Sequence, residues 1–253
     1  MAQKGPLALR LWKFKTAYIE GSETPVDDLG FLARHRETLR HLHVHGDQLL
    51  DVGQVNQLTA LETATIDAPA TRPLELRRLR RLSSLVVVRD EEDGGNALVI
   101  DWTGAPQLLS VELDPATADD IAALEAQTAL EEVDLSNPAR LPDTLPGSVY
   151  SLSLEGVIPA PTRPLALPAL EELDLLDVSG LRDFTFLAGS GALSRLEVFG
   201  AIGLVSLAGL RFEPGAHVYL GGCPDLVDIS ALDGVPQIDL EIRDCPHLPQ
   251  VGQ

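Results

Sequence analysis

The chain of 253 residues is poor in the residue types that most often announce a chemistry. Aromatic side chains make up 4% of it, and it holds two cysteines, one methionine and three lysines, Lys4, Lys13 and Lys15. Two cysteines cannot build the disulfide framework of a small secreted domain, and Cys223 and Cys245 fall at equivalent positions of a repeat rather than in a Cys-x-x-Cys pair. No apolar run is long enough to span a bilayer, so no membrane partner is expected. The apolar stretch from Pro6 to Ile19 is broken by Arg10, Lys13 and Lys15, where a secretory leader would need an uninterrupted segment. None of Asn56, Asn96 and Asn137 stands in an Asn-x-Ser/Thr acceptor. These absences lead us to expect a soluble protein of the reducing cytoplasm. The chain also lacks a Walker loop, a Gly-rich dinucleotide turn, a zincin helix and a nucleophile elbow, so we expect no cofactor and no enzymatic activity.

What is abundant is leucine in a fixed pattern. A Leu-x-x-Leu-x-Leu register, with conservative substitutions, begins at Leu39, Leu61, Leu82, Leu108, Leu130, Val149, Leu170, Leu193, Gly215 and Gln237, at intervals of 19 to 26 residues. Its best copies are LEEVDL from Leu130 and LEELDL from Leu170. Repetition at this period is the mark of a solenoid, because one unit cannot bury its own apolar face and must stack on its neighbours. The expected organisation is a cap over residues 1–38 and about ten repeats over 39–253 in a single continuous solenoid. In the cap, Leu7, Leu9 and Leu11 alternate like a strand, and Asp27 to Arg36 carries Leu29, Phe31 and Leu32 in a helix-like pattern. Thr117 to Gln127 reads as a helix, with Ile121, Ala122 and Leu124 on one face and Asp119 and Asp120 near its start. The unit from Leu82 carries an acidic Asp90 to Asn96 insertion, expected as a surface loop.

From Leu39 onward the chain resembles the leucine-rich-repeat superfamily of bacterial type. The stretch from Leu141 to Leu154 is similar to the proline-containing repeats of bacterial effectors, and the units from Leu193 look like internalin-type repeats. The resemblance implies an α/β solenoid: a horseshoe with a parallel β-sheet on its concave face and short helical or irregular convex returns. Two departures stand out. The asparagine or cysteine that this family uses to bond its turn backbone occurs only as Cys223 and Cys245, so the earlier turns are expected to be less regular. After the last repeat we also expect no catalytic domain of the kind that the effector ligases carry. Sixteen arginines against three lysines fit a GC-rich bacterial genome.

Side chains flanking the inward leucines of each strand point to the opposite, concave face. Acids dominate its middle: Glu112, Glu132, Asp134, Glu155, Glu172, Asp174 and Glu197. Parallel strands lie roughly 4.8 Å apart, so their potentials add. Residues 1–89 hold 13 basic and 10 acidic groups, whereas residues 90–253 hold 6 and 28, a net charge of −22. Nucleic acid is therefore an unsuitable partner, and a basic protein is the expected one. Val86, Val88, Leu176, Phe199 and Tyr219 project from the same face, with Phe199 and Tyr219 as the expected anchors.

Two other constellations carry competing readings. His43 and His45 lie two residues apart on one strand face, beside Asp67 on the next, and three such groups could hold a zinc ion with water as the fourth ligand; the plainer reading is polar side chains on an exposed strand. The cluster Arg77-Arg78-x-Arg80-Arg81 reads as a solvated convex face, with phosphate binding as the alternative. The expectation carried forward is a non-enzymatic protein-binding scaffold, monomeric until its basic partner arrives, with a toxin-neutralising immunity protein as one version. A metal-dependent hydrolase at the His/Asp site and a structural assembly scaffold are the alternatives.

Overall fold

A computed structural model describes residues 7–12, 29–45, 51–89 and 97–248. The Asp90 to Asn96 insertion and the start of the cap helix lie outside the described residues. The chain forms two compact units, Met1–Asp114 and Pro115–Gln253.

The first unit contains β1 (Leu7–Trp12), β2 (Leu39–His45), β3 (Thr63–Asp67), β4 (Leu74–Glu75), β5 (Ser84–Val88), β6 (Ile100–Asp101) and β7 (Ser110–Asp114). Its main sheet runs β1-β2-β3-β5-β7 with every pair parallel, while β4 and β6 make a separate short parallel pair. The strand anticipated around Leu7, Leu9 and Leu11 is thus β1, which extends the repeat sheet in parallel with β2, shifted at Leu7/Ala8. A short 3-10 turn at Gly30–His35 follows, with Leu29 and Leu32 buried.

The second unit begins with α1 (Ala118–Leu124), then β8 (Glu132–Ser136), β9 (Ser151–Val157), β10 (Glu172–Ser179), β11 (Leu193–Phe199), β12 (Phe212–Gly221) and β13 (Asp239–Arg243), again all parallel neighbours. Strand follows strand without reversal because each return carries the chain back along the other side, and the repeat is a parallel β-solenoid. Each of the ten anticipated units contributes one strand.

The returns are mostly irregular. Among the described residues α1 is the one α-helix, and the remaining helical segments are short 3-10 turns. Helix α1 forms because Thr117 closes both ends of a capping box: its hydroxyl accepts from the Asp120 amide at 3.2 Å, and the Asp120 carboxylate accepts from the Thr117 amide at 3.1 Å. Ile121 and Leu124 are buried, whereas Ala122 is exposed. One residue further along a helix turns the side chain by about 100°, which takes Ala122 off the buried face.

The core is two stacked inward rows per unit. In the second unit Val133, Leu152, Leu173, Leu196 and Val218 form one ladder, and Leu135, Leu154, Leu175, Val198 and Leu220 the other, all buried. Phe184 and Phe186 fill the return side with ring centroids 6.5 Å apart. The carbonyls leading into the strands form a second ladder: Glu131 accepts from Tyr150 and Ser151, Tyr150 from Glu171 and Glu172, and Glu171 from Ser194 and Arg195.

The turns that leave the strands of the second unit are regular, against the sequence expectation for all but the last two. The residue directly after each strand core has positive φ in every case: Asn137, Gly156, Asp177, Gly200, Gly222 and Asp244. Asn, Asp and Gly tolerate the left-handed region, and this substitutes for the turn-bonding asparagine as the repeated device. At Gly200 the reason is also steric, since a Cβ there would collide with the Asp177 carboxylate. The amides of Gly200 and Gly222 then donate to the carbonyls of Gly221 and Arg243 in the next turns.

Candidate functional site

The outward side chains of β8 to β13 form three rows set by strand register. The first is Glu132, Ser151, Glu172, Arg195, His217 and Asp239; the second is Asp134, Ser153, Asp174, Glu197, Tyr219 and Glu241; the third is Ser136, Glu155, Leu176, Phe199, Gly221 and Arg243. All the expected partner-binding residues except Glu112 therefore share one face of the second unit. Glu112 stands on β7 of the first unit, paired with Val86.

The strand alternation turns Arg195 outward as well, though it was not among the expected partner-binding residues. Arg195 lies among three of the expected acids, 2.8 Å from Glu197, 3.6 Å from Asp174 and 3.7 Å from Glu172. Its charge is held firmly by the Glu197 hydrogen bond and by the fields of Asp174, Glu197 and Glu172. Three carboxylates on one guanidinium leave a local excess of negative charge, but less than a count of acids implies. Asp174 has the opposite tendency: burial pushes its carboxyl up, Arg195 pulls it down, and Glu197 and Glu172 push it up again. Its Oδ1 is enclosed without a hydrogen-bond partner.

Other acids of the face are also engaged. Tyr150, just ahead of β9, donates its hydroxyl to Glu132, and that bond, with burial and nearby acids, raises the phenol to about 12. Ser136 donates to Glu155 at 3.0 Å, His217 Nδ1 lies 3.2 Å from Asp239, and Arg243 pairs with Glu241. Tyr150 was not legible as a site residue because it precedes the outward alternation; only its place beside Glu132 across the strands exposes the role.

The apolar part of the face is a narrow stripe. Leu176 is 45% and Phe199 49% exposed, side by side on β10 and β11. Tyr219 is half-buried: its ring occupies the space that a side chain at Gly221 would need, next to Phe199. Phe199 and Leu176 are thus the more open pair. Past the five-residue strand cores, Val157 at the end of β9 and Ile202 are 64% and 63% exposed, both aligned on Ser179. They were missed because they follow the left-handed residues Gly156 and Gly200, which break the strand alternation that marks outward positions.

Two histidines of the first unit bond to the neighbouring strand. His41 Nδ1 meets the Thr63 hydroxyl at 2.9 Å and His45 Nδ1 meets the Asp67 carboxylate. Among the described residues no group of three or more His, Cys, Asp or Glu side chains stands where it could hold a metal ion. Cys223 and Cys245 are free and buried; both donate to backbone carbonyls, Cys223 to Gly221 at 3.4 Å and Cys245 to Arg243 at 3.3 Å. The expected bonding of these thiols with the turn backbone is present through the carbonyls. Burial pushes the Cys223 thiol up to about 12, so it is a structural rather than a nucleophilic sulfur.

The chain matches no protein-family profile and no curated protein sequence. No helix of the described residues is long and apolar enough to cross a membrane.

Proposed function

We propose that this chain is a non-enzymatic binding module of bacterial leucine-rich-repeat kind, which holds a basic protein against the strand face of residues 132 to 243. The observation that carries this reading is the juxtaposition of an exposed apolar stripe, Leu176 and Phe199 with the Tyr219 ring beside it, and carboxylates from all three outward rows, Glu132, Asp134, Glu155, Glu172, Asp174 and Glu197. Apolar anchors supply most interface energy, and the surrounding charge speeds encounter and rejects acidic competitors. The parallel strands carrying a Leu-x-x-Leu-x-Leu register support the repeat type. Two buried free thiols accord with a reducing cytoplasm. Masking a cationic toxin, as an immunity protein does, is the version that uses an acidic face and no catalytic group.

The test begins with affinity capture from the native host and continues with surface plasmon resonance on the captured protein at two salt concentrations. Reversing Glu132 and Glu172 to Lys slows association and flattens its salt dependence, since the uncharged Tyr150 hydroxyl leaves Glu132 its charge and Arg195 is shared between Glu172 and two other carboxylates. Phe199→Ala and Tyr219→Ala hasten dissociation, each by about 1–3 kcal/mol. The reading fails if these four changes leave both rates untouched.

A further inference from the structure

Successive returns of the first unit line an open, groove-like cavity of about 580 Å³, and half of its lining residues are arginines. Arg36, Arg77, Arg78 and Arg80 all face it. We propose that this cavity is a binding site for a small polyanion carrying two or more phosphate groups, separate from the acidic strand face.

The argument begins with how the arginines are held. Asn56 is buried at the end of one return and spends its whole amide on the next: Nδ2 donates to the Pro73 carbonyl at 3.1 Å, and Oδ1 accepts from the Glu75 amide at 2.8 Å. That double bond to the backbone fixes β4, where Glu75 stands. The Glu75 carboxylate then accepts from Arg78 Nε at 2.7 Å and from Arg77 Nη2 at 2.9 Å and Nε at 3.3 Å, and these contacts hold it below the usual carboxylate range. Gly104, in the following return, allows the chain to pass close to the Arg77 stem. Two guanidiniums are therefore oriented from below by one carboxylate, with terminal nitrogens left over. Arg78 gives Glu75 only its Nε, and Arg80 makes no ion pair among the described residues.

The charge balance selects the ligand. Arginine cannot lose its proton, and each guanidinium offers five donors in a fork that fits phosphate oxygens. Glu37 pairs with Arg36, and Glu75 and Asp101 face Arg77, so the cavity stays positive without being saturated. In a chain of net charge −19 such a place is rare; residues 115–253 hold 6 basic groups against 21 acidic. A ligand with several phosphates can reach guanidiniums beyond the two that the single Glu75 carboxylate holds. The volume lies within the roughly 300–1,000 Å³ of small-molecule sites. Glu37, Asn56, Gln57 and Thr59 complete the lining, and no aromatic ring is among these residues, so recognition falls on the phosphates and not on a stacked base.

Isothermal titration calorimetry of the full chain with inorganic tripolyphosphate at constant ionic strength tests the proposal. The expected result is saturable one-to-one binding that weakens as salt rises, is matched by ATP, and exceeds orthophosphate by about tenfold or more. Arg78→Gln with Arg80→Gln abolishes it, while Arg163→Gln in the second unit leaves it unchanged. A measurement on the unmodified protein guards against folding defects: tripolyphosphate shields Arg36, Arg77, Arg78 and Arg80 from a dicarbonyl arginine reagent, read by mass spectrometry. Absence of saturable heat, unchanged affinity in the double variant, equal affinity for orthophosphate, or arginine modification that ignores the ligand overturns the site. A large preference for ATP over tripolyphosphate overturns the phosphate-only recognition. None of these outcomes depends on the basic-protein reading of the strand face.

Discussion

The two units follow one strand grammar and present opposite surfaces. The outward residues of β2, β3 and β5 in the first unit are His, Thr, Ser and Val with Asp67, whereas β8 to β11 in the second bring carboxylates in rows with a single arginine among them. The first unit concentrates its cations in the returns, on the cavity around Arg77 and Arg78; the second concentrates its anions on the strands. The turns differ too. The strand cores of the second unit are each followed by a left-handed residue, while the corresponding described positions after β3 and β5 of the first are Ala68 and Arg89, neither with positive φ. A repeat core thus tolerates two surface chemistries and two turn types, because the inward ladders alone are what neighbouring units must share.

The largest expected effect breaks the comparison at the core. Leu173→Asp removes a fully buried side chain and places an unpaired carboxylate in the ladder, costing more than the roughly 2–5 kcal/mol of a Leu→Ala truncation. Hydrogen exchange followed by mass spectrometry is expected to rise first in β9, β10 and β11, with β3 and β5 still protected; uniform loss of protection would show that the two units fold as one.

A smaller effect sharpens the contrast of turns. Gly200→Ala forces a Cβ into the left-handed region and against Asp177, and the backbone term alone is about 1–2 kcal/mol. The matching exchange in the first unit, Ala68→Gly, should cost less, through added freedom of the unfolded chain and loss of one buried methyl. Urea titrations of the two variants compare them directly, and equal losses would remove the distinction.

The smallest effect concerns pH on the acidic face. Because the Asp174 carboxyl is raised in the folded chain, its ionised form costs stability at neutral pH, and that cost fades as pH falls through the folded and then the unfolded value. Asp174→Asn is therefore expected to melt slightly higher than the parent at pH 7, with the difference shrinking toward pH 4. A variant that melts lower at pH 7 would show that the Arg195 contact outweighs burial.

Much of this was readable in the chain. The spacing of leucines set the strands, their parallel order and the inward rows, because an alternating residue has only two sides to face and a repeat must bury the same one each time. The outward acids, Leu176, Phe199 and Tyr219 followed from the same alternation. What the spacing could not supply was anything made between strands. The trapping of Arg195 by Glu172, Asp174 and Glu197, the bond from Tyr150 to Glu132, and the Tyr219 ring leaning over Gly221 join residues about twenty positions apart. The returns stayed open between helical and irregular for a related reason: short apolar runs suit a turn as well as a helix, and only packing against the neighbouring return chooses. By itself, then, the sequence determined the parallel repeat, its core and the sign of its charge; tertiary stacking alone decided which charges meet, which stay open and where the arginines gather, since those depend on side chains from different units reaching the same few ångströms of space.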